Sequence, residues 1–481
     1  MCAIACASVA VTSPAAARPD TPGTTEIFRY EASDVVDAYD SPGGRFKIHF
    51  TRTGLNAVPA ADTDVSGVPD HVERVALIYD EVLAFYQDTL GFRAPLDDAT
   101  LADNGGDARF DVYLLDFGGR ADGSFRGEAC GIEGRLPGQC AGFMVQENDF
   151  AGYPYPSVDY ANRVLASHEL FHAVQAAYDA DQGSVLSEGT AVWATEMFDG
   201  ALSDLEGFVH GYFEHLDRPI DQPLPGPVDP FSYGSAIFFR FLEERFDPDL
   251  IRVLWEACET EEWLPALDAI LARDHGSSFA AAFDEFVAWN MFTGARADPA
   301  RSYVNGASYP LVTVEPVSAP YSTGPLRVFY ASSQLWSVAP GSRSRMGASL
   351  TGDSEGLTLR LATRQGDSVR VLDESVTDTN GVDELFVLVS YPARMGMSRR
   401  PGLCIGTPIE IAECEAAMQP DAGAPDRDAG TNDASMFVDG GPGSAGGCAC
   451  SLRPSRRAPL AAALGALVIV LGLRRRARFT P

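Results

Sequence analysis

The period of the hydrophobic pattern changes near residue 300, and this change limits the folds open to the chain. Before it, apolar residues over 72–89 follow the three- and four-residue spacing of an amphipathic helix, and 110–115 is a short strand-like apolar run. Further helices are predicted over 162–177, 187–198, 234–245, 250–258 and 279–292. Beyond it, short segments alternate with period two: 311–314, 326–330, 335–338, 357–361, 369–372 and 385–391. The pattern predicts an α+β domain over 24–299, followed by an all-β, sandwich-like accessory domain over 300–415.

The two ends of the chain carry the patterns of targeting segments. Residues 1–23 hold a short apolar stretch followed by small residues, and we expect a secretory leader there. The basic residues that usually precede such a stretch are missing, which favours a true start further upstream. Residues 416–447, rich in Asp, Gly, Pro and Ala, predict a disordered linker. Residues 448–481 then predict a sorting tail, with a short apolar span at 458–473 and an arginine cluster after it.

Charge and cysteine content indicate the compartment in which the protein works and exclude one class of partner. With 36 Lys and Arg against 67 Asp and Glu, the net charge is −31, which opposes binding of nucleic acid. Two cysteine pairs close short loops and predict disulfides of an oxidising compartment, namely Cys130 with Cys140 and Cys404 with Cys414. Cys258 lies in an apolar helical run, which predicts a buried free thiol. We therefore expect a secreted or cell-surface protein that contacts the membrane only through its C-terminal tail.

A metal-binding motif lies in the predicted helix over 162–177. His168 and His172 are four residues apart, so both imidazoles leave one side of the helix and reach a single cation. Glu169 lies beside that cation without having to bind it, where it can take a proton from water. The chain has only 7 histidines, so chance is a poor explanation of this pattern. The motif predicts a Zn²⁺ site with Glu169 as general base.

The third metal ligand must come from elsewhere, because a catalytic zinc site has three protein ligands. The metzincin pattern is excluded, because Gln175 and Tyr178 stand where it needs Gly and His. Glu188 opens the next predicted helix, and a helical hairpin would bring it back beside the histidines. Glu188 is therefore the predicted third ligand. The alternatives, as third ligand or as support for the ligands, are Glu196, Asp179 and Asp181.

Two further assignments concern a substrate-binding hydroxyl and a second metal. Tyr233 heads an apolar helical run, and we expect it to donate to the oxyanion formed during peptide hydrolysis, although a core tyrosine fits the same pattern. The acidic stretches 62–70 and 103–111 carry oxygen donors at alternate positions, as a Ca²⁺ site does. Neither forms an EF-hand loop. Acidic turns that cap the following elements are the favoured interpretation of both stretches.

Several segments resemble known families. The segment from Ser187 to Ala191 resembles the one that carries the third ligand in gluzincin peptidases, although Val192 stands where thermolysin-like members have an acidic residue. The C-terminal tail, with Cys448 and Cys450 before the span, resembles the MYXO-CTERM sorting tails of myxobacterial surface proteins. Together with the helix that carries His168 and His172 and with 62–70, 105–113 and 283–294, these segments resemble a family of myxobacterial zinc metallopeptidases that carry the same tail, over most of 46–294. The resemblance implies a zincin-like catalytic domain that is displayed outside the cell.

The expected activity is zinc-dependent hydrolysis of peptide bonds in extracellular proteins, with a protein or peptide as substrate. The alternative is a cell-surface binding or adhesion protein built on an inactive zincin-like domain. The presence of Glu169 disfavours this alternative, because a protein without catalysis needs no general base. A purely structural zinc site is also disfavoured, since two histidines and one carboxylate leave the fourth position open.

Overall fold

The first part of the chain builds one five-stranded sheet, seen in a computed structural model that describes residues 18–24, 26–226 and 229–418. Its strands are β1 (Val36–Asp40), β2 (Phe46–Thr51), β3 (Phe110–Leu115), β4 (Gly123–Glu128) and β5 (Ala141–Glu147). They lie in the order β1-β2-β3-β5-β4. The three central strands are parallel, and each edge strand is antiparallel to its neighbour. Every residue of β5 is buried, as expected for a strand covered on both faces, whereas β4 forms an edge of the sheet.

Helices cover this sheet and follow it in the chain. In the described residues they are α1 (Asp70–Ala84), α2 (Val158–Ala176), α3 (Ser184–Phe198), α4 (Asp204–Phe213), α5 (Pro230–Gly234), α6 (Ala236–Arg245), α7 (Leu250–Ala257), α8 (Trp263–His275), α9 (Phe279–Trp289) and α10 (Pro408–Met418). The face of α1 that carries Val72, Val75 and Tyr79 is buried, as the predicted three- and four-residue spacing requires. A single π-helical turn, Phe85–Thr89, extends α1.

Helices α2 and α3 form a hairpin next to the edge of the sheet. The hydroxyl of Ser157 caps α2 by accepting a hydrogen bond from the Tyr160 amide at 3.1 Å. Along its length α2 packs against β4, β5, α1 and α3. A Cβ atom at Gly189 of α3 would lie 2.4 Å from the Ser235 hydroxyl, so only glycine permits this close approach to the start of α6. The hairpin is thereby held between the sheet and the remaining helices.

The second part of the chain forms two antiparallel-rich sheets. Its strands are β6 (Glu315–Val317), β7 (Tyr321–Thr323), β8 (Ser332–Val338), β9 (Arg345–Gly352), β10 (Thr358–Gln365), β11 (Ser368–Leu372), β12 (Val376–Asp378), β13 (Glu384–Tyr391) and β14 (Pro401–Gly406). The sheet orders are β11-β10-β13-β8-β6 and β12-β9-β14-β7. Trp336 of β8, Met346 of β9 and Leu403 of β14 belong to one apolar cluster. The two sheets therefore share a core.

The mixed α/β class of the chain is confirmed. The outer face of one strand-rich sheet, which points away from the other sheet, packs against the helices, because Leu335, Phe386 and Leu388 belong to the same large apolar cluster as the helices. An ion pair at 2.7 Å between Arg360 of β10 and Asp284 of α9 crosses the same contact. The zincin-like assignment and the division between 299 and 300 therefore remain predictions.

Some sequence-based elements differ from the structure. Residues 311–314 form no strand, because Val312 packs into the helical core from a loop and the strand begins only at Glu315. Residues 326–330 make a single bridge, between Val328 and Arg399, instead of a strand. Strand β5 and helix α8 were missed altogether by the hydrophobic pattern. The predicted strands over 335–338, 357–361, 369–372 and 385–391 correspond to β8, β10, β11 and β13.

The cysteine predictions are confirmed. Cys130 is bonded to Cys140 and Cys404 to Cys414, and Cys258 is a buried free thiol. Within the described ranges, no helix combines the length and apolar character that a bilayer crossing requires. Most of the predicted leader, nearly all of the predicted linker and the tail with its span at 458–473 lie outside the described residues.

Candidate metal centre

Helix α2 places both motif histidines in a buried position. His168 and His172 are 8% and 6% exposed, and their ring centroids lie 5.0 Å apart. Leu165, Phe171 and Val174 are buried in the apolar core and fix the rotation of the helix. The two imidazoles therefore project from one side of α2, as the four-residue spacing predicts.

Helix α3 brings Glu188 to the two imidazoles. Its Oε2 atom lies 3.2 Å from Nε2 of His168 and 3.4 Å from Nε2 of His172. Two ligands about 2.1 Å from a tetrahedral zinc ion lie about 3.4 Å apart. Both separations from the Glu188 oxygen thus fit a single zinc ion. Of the alternatives, Asp179 instead accepts hydrogen bonds from its own loop, through the Asp181 amide and the Gln182 side chain.

Glu169 is oriented by the edge strand of the sheet. Its Oε2 atom accepts a hydrogen bond from the Phe125 amide of β4 at 2.9 Å. One donor atom each from His168, Glu169 and His172 lie within 4.8 Å of one another. The carboxylate is therefore next to the imidazole donors, and the sheet holds it in place.

In the metal-free centre, protons on the imidazoles balance the negative charge of Glu188. Burial lowers the pKa of His172, but the attraction of Glu188 and the hydrogen bond to it outweigh burial and raise this pKa to about 9. Burial also opposes the charge of His168, and its hydrogen bond to Glu188 again raises the pKa. For Glu188, burial acts to raise the pKa, yet the two imidazoles dominate and hold it well below its usual range. A divalent cation would replace these protons as the partner of Glu188.

Gln175 supports the centre, and sequence reasoning missed it. Its Oε1 atom lies 2.8 Å from Nδ1 of His172. Its Nε2 atom donates to the Ser187 carbonyl at 2.8 Å and to the Thr190 hydroxyl at 3.0 Å, so the oxygen end of the amide faces the imidazole. His172 then donates from Nδ1 and keeps Nε2 for a metal. The signal in the sequence was an amide side chain three residues after the second histidine, in the same predicted helix.

Tyr233 packs against the ring of His168. The two rings are stacked, with centroids 5.5 Å apart and an angle of 8° between their planes. Helix α5, which carries Tyr233, begins at Pro230, and the Asp229 carboxylate caps it by accepting from the Phe231 amide at 3.0 Å. The predicted tyrosine is therefore brought to the metal centre.

The two acidic stretches differ in the structure. Carboxylate oxygens of Asp62, Asp64 and Asp70 lie within 4.8 Å of one another, in a loop whose amides they accept from. The second stretch does not converge on one point. Asp107 pairs with Lys47 and Arg109, and Asp111 with Arg18 and His49. Among the described residues only the first stretch keeps the geometry that the Ca²⁺ prediction requires.

Comparison with known proteins assigns no family to the chain. No protein-family model matches it, and no curated protein does.

Proposed function

We propose that the chain is a zinc-dependent peptidase that hydrolyses peptide bonds of extracellular proteins. The observation that carries the proposal is the meeting of three donor atoms, from His168, His172 and Glu188, at separations that suit one zinc ion. Glu169 lies beside them and is not needed as a ligand. Two histidines and a carboxylate would leave a coordination position open, as catalytic zinc sites do.

Each side chain of the candidate site has a separate proposed role in hydrolysis. His168, His172 and Glu188 would hold the ion, and Gln175 orients His172. Zinc, when bound, supplies Lewis-acid polarisation of a carbonyl group and lowers the pKa of water. Glu169 takes the proton of the attacking water as the C–O bond forms and the carbonyl electron pair moves onto oxygen. When the oxyanion collapses, the C–N bond breaks and Glu169 returns the proton to the leaving amine.

Tyr233 is proposed to stabilise the oxyanion that forms on the scissile carbonyl. Its ring stacks on His168, which brings the side chain next to the candidate metal ligands. A hydroxyl that donates to developing negative charge lowers the barrier in a water-poor site. Its removal should therefore reduce kcat and leave the zinc content unchanged.

We also propose that the reaction takes place outside the cytoplasm. Disulfides persist in oxidising compartments, and the two cysteine pairs of the described residues are both bonded. The resemblance of residues 448–481 to a sorting tail points the same way.

The decisive experiment compares the full-length protein with Glu169→Gln. Both should contain about one zinc per chain, measured by mass spectrometry of the metal, because Glu169 is not a ligand. Cleavage of an unfolded protein substrate should fall by about a hundredfold to ten-thousandfold in the variant. Glu374→Gln, which changes an exposed glutamate of the strand-rich part, is the matched control and should cleave at the parent rate.

Two results would contradict the proposal. If Glu169→Gln cleaves as fast as the parent, Glu169 is not the general base. If the parent binds no zinc, His168, His172 and Glu188 do not form a zinc site. A zinc-loaded parent that binds proteins but cleaves none would favour the alternative, a surface binding protein on an inactive zincin-like domain.

A further inference from the structure

An open cavity of about 70 Å³ lies directly beside His172. Phe125 of β4 and the Cys130–Cys140 disulfide contribute to its walls, and so does Trp255 of α7. Because His172 lines the cavity, a substrate side chain that enters the cavity would lie next to the candidate metal centre. Most of this wall is apolar.

The far part of the cavity is acidic. Asp179 and Asp181 line it, and its walls, as far as the structure describes them, contain no lysine or arginine. Asp179 lies just beyond the C-terminus of α2, which ends at Ala176, one turn after His172. The Asp181 amide and the Gln182 side chain donate to Asp179 at 3.0 and 2.9 Å, so the carboxylate is held in place.

The C-terminal end of α2 adds to this negative potential. Helix carbonyls at that end carry a partial negative charge, which proteins usually offset with a lysine, arginine or histidine. The last turn of α2 has no basic residue, and Asp179 and Asp181 follow it directly. Burial, together with the neighbouring Asp179, raises the pKa of Asp181. The chain thus leaves a pair of carboxylates at a helix C-terminus without a cation of its own in the cavity.

We propose that this cavity is a specificity subsite that binds the lysine or arginine side chain of a substrate residue adjacent to the scissile bond. The inference rests on the proposed peptidase function and names its substrate class. The apolar walls suit the methylene stem of such a side chain, and Asp179 and Asp181 bind its charged end.

The first test maps where the full-length parent cleaves an unfolded protein. Lysine or arginine should be enriched at one of the two residues that flank the cleaved bonds, as read by mass spectrometry. Peptides with lysine, norleucine or glutamate at that residue should then rank in that order, with a preference for lysine over norleucine on the order of tenfold or more in kcat/KM.

The second test uses the exposed residue Asp181, whose replacement leaves the core untouched. Asp181→Asn should reduce the preference for lysine, and Asp181→Lys should reverse it in favour of glutamate. Asp373→Asn, at an exposed aspartate of the strand-rich part, is the matched control and should keep the parent preference. Fluorescence anisotropy with zinc-loaded Glu169→Gln measures binding of the same peptides without cleavage.

The outcomes separate the two proposals. Cleavage without a preference for basic residues overturns the subsite and leaves hydrolysis standing. Binding of lysine peptides that depends on Asp181, without cleavage by the parent, supports the subsite and overturns hydrolysis. A lysine preference that Asp181→Lys does not change also overturns the subsite.

Discussion

Strand β4 contacts two buried groups of charged side chains, through Glu128 and through the Phe125 amide, and the two groups neutralise their carboxylates differently. The first, the Arg18 cluster, consists of Arg18 and the carboxylates of Asp98, Asp111 and Glu128, which all contact the guanidinium. The second is the metal centre, where Glu188 faces two imidazoles. In the first, a permanent cation of the chain fills the position between the carboxylates. In the second, the positive charge comes from exchangeable protons on the imidazoles, which a metal ion would replace.

The pKa values express this difference. In the Arg18 cluster, burial outweighs the attraction of the single guanidinium and raises the pKa of Glu128 to about 7. In the metal centre, the two imidazoles outweigh burial and hold the pKa of Glu188 well below its usual range. A cation that cannot leave makes the first cluster a structural element. Exchangeable protons leave the second group open to the proposed metal ion.

The largest expected effect is on stability, from Arg18→Met. This change leaves three carboxylates buried without their cation, and we expect a loss of about 3–5 kcal/mol in the free energy of unfolding, measured by urea denaturation at pH 7. The loss should shrink at pH 5, where the carboxylates take up protons. The control Arg273→Met alters an exposed pair with Asp274 and should leave the stability nearly unchanged. Equal stability of both variants would show that the Arg18 cluster is not structural.

The next effect concerns the metal centre alone. Gln175→Leu removes the acceptor at Nδ1 of His172 and should weaken zinc binding about 10- to 100-fold, measured by competition with a chromogenic chelator. Stability of the zinc-free protein should change less than in Arg18→Met. Gln365→Leu, at an exposed glutamine of β10, should leave the zinc affinity unchanged. An unchanged affinity in Gln175→Leu would mean that His172 is held by packing alone.

The metal centre was largely predictable from sequence, because its parts are local. Helical spacing fixes the relative direction of His168 and His172, and the short turn before α3 limits where Glu188 can lie. Gln175 was missed because its role depends on contacts with Ser187 and Thr190 of another helix. A side chain that acts through a neighbouring element leaves no periodic signal.

The Arg18 cluster, by contrast, could not be predicted. Arg18 falls in the predicted leader, yet it is fully buried against β3 and β4, far from it in sequence. Strand β4, which carries Glu128 and the amide that holds Glu169, reads Gly-Ser-Phe-Arg-Gly-Glu and has no clear alternation. Edge strands are specified by their pairing with a neighbour, here β5, more than by their own composition.

The last effect needs no substitution: it is the response of zinc binding to pH, and it distinguishes an exchangeable cation from a permanent one. His172 keeps a proton up to a pKa of about 9 in the metal-free protein, and this proton must leave before Nε2 can bind an ion. Below pH 9 the apparent zinc affinity should therefore fall by about tenfold for each pH unit for each proton displaced. Calorimetry at pH 7 in two buffers of different ionisation enthalpy measures the protons released on zinc binding, and about one or two are expected. Zinc binding that releases no proton would mean that the imidazoles are already neutral, and that Glu188 is balanced in the metal-free centre by a cation other than theirs.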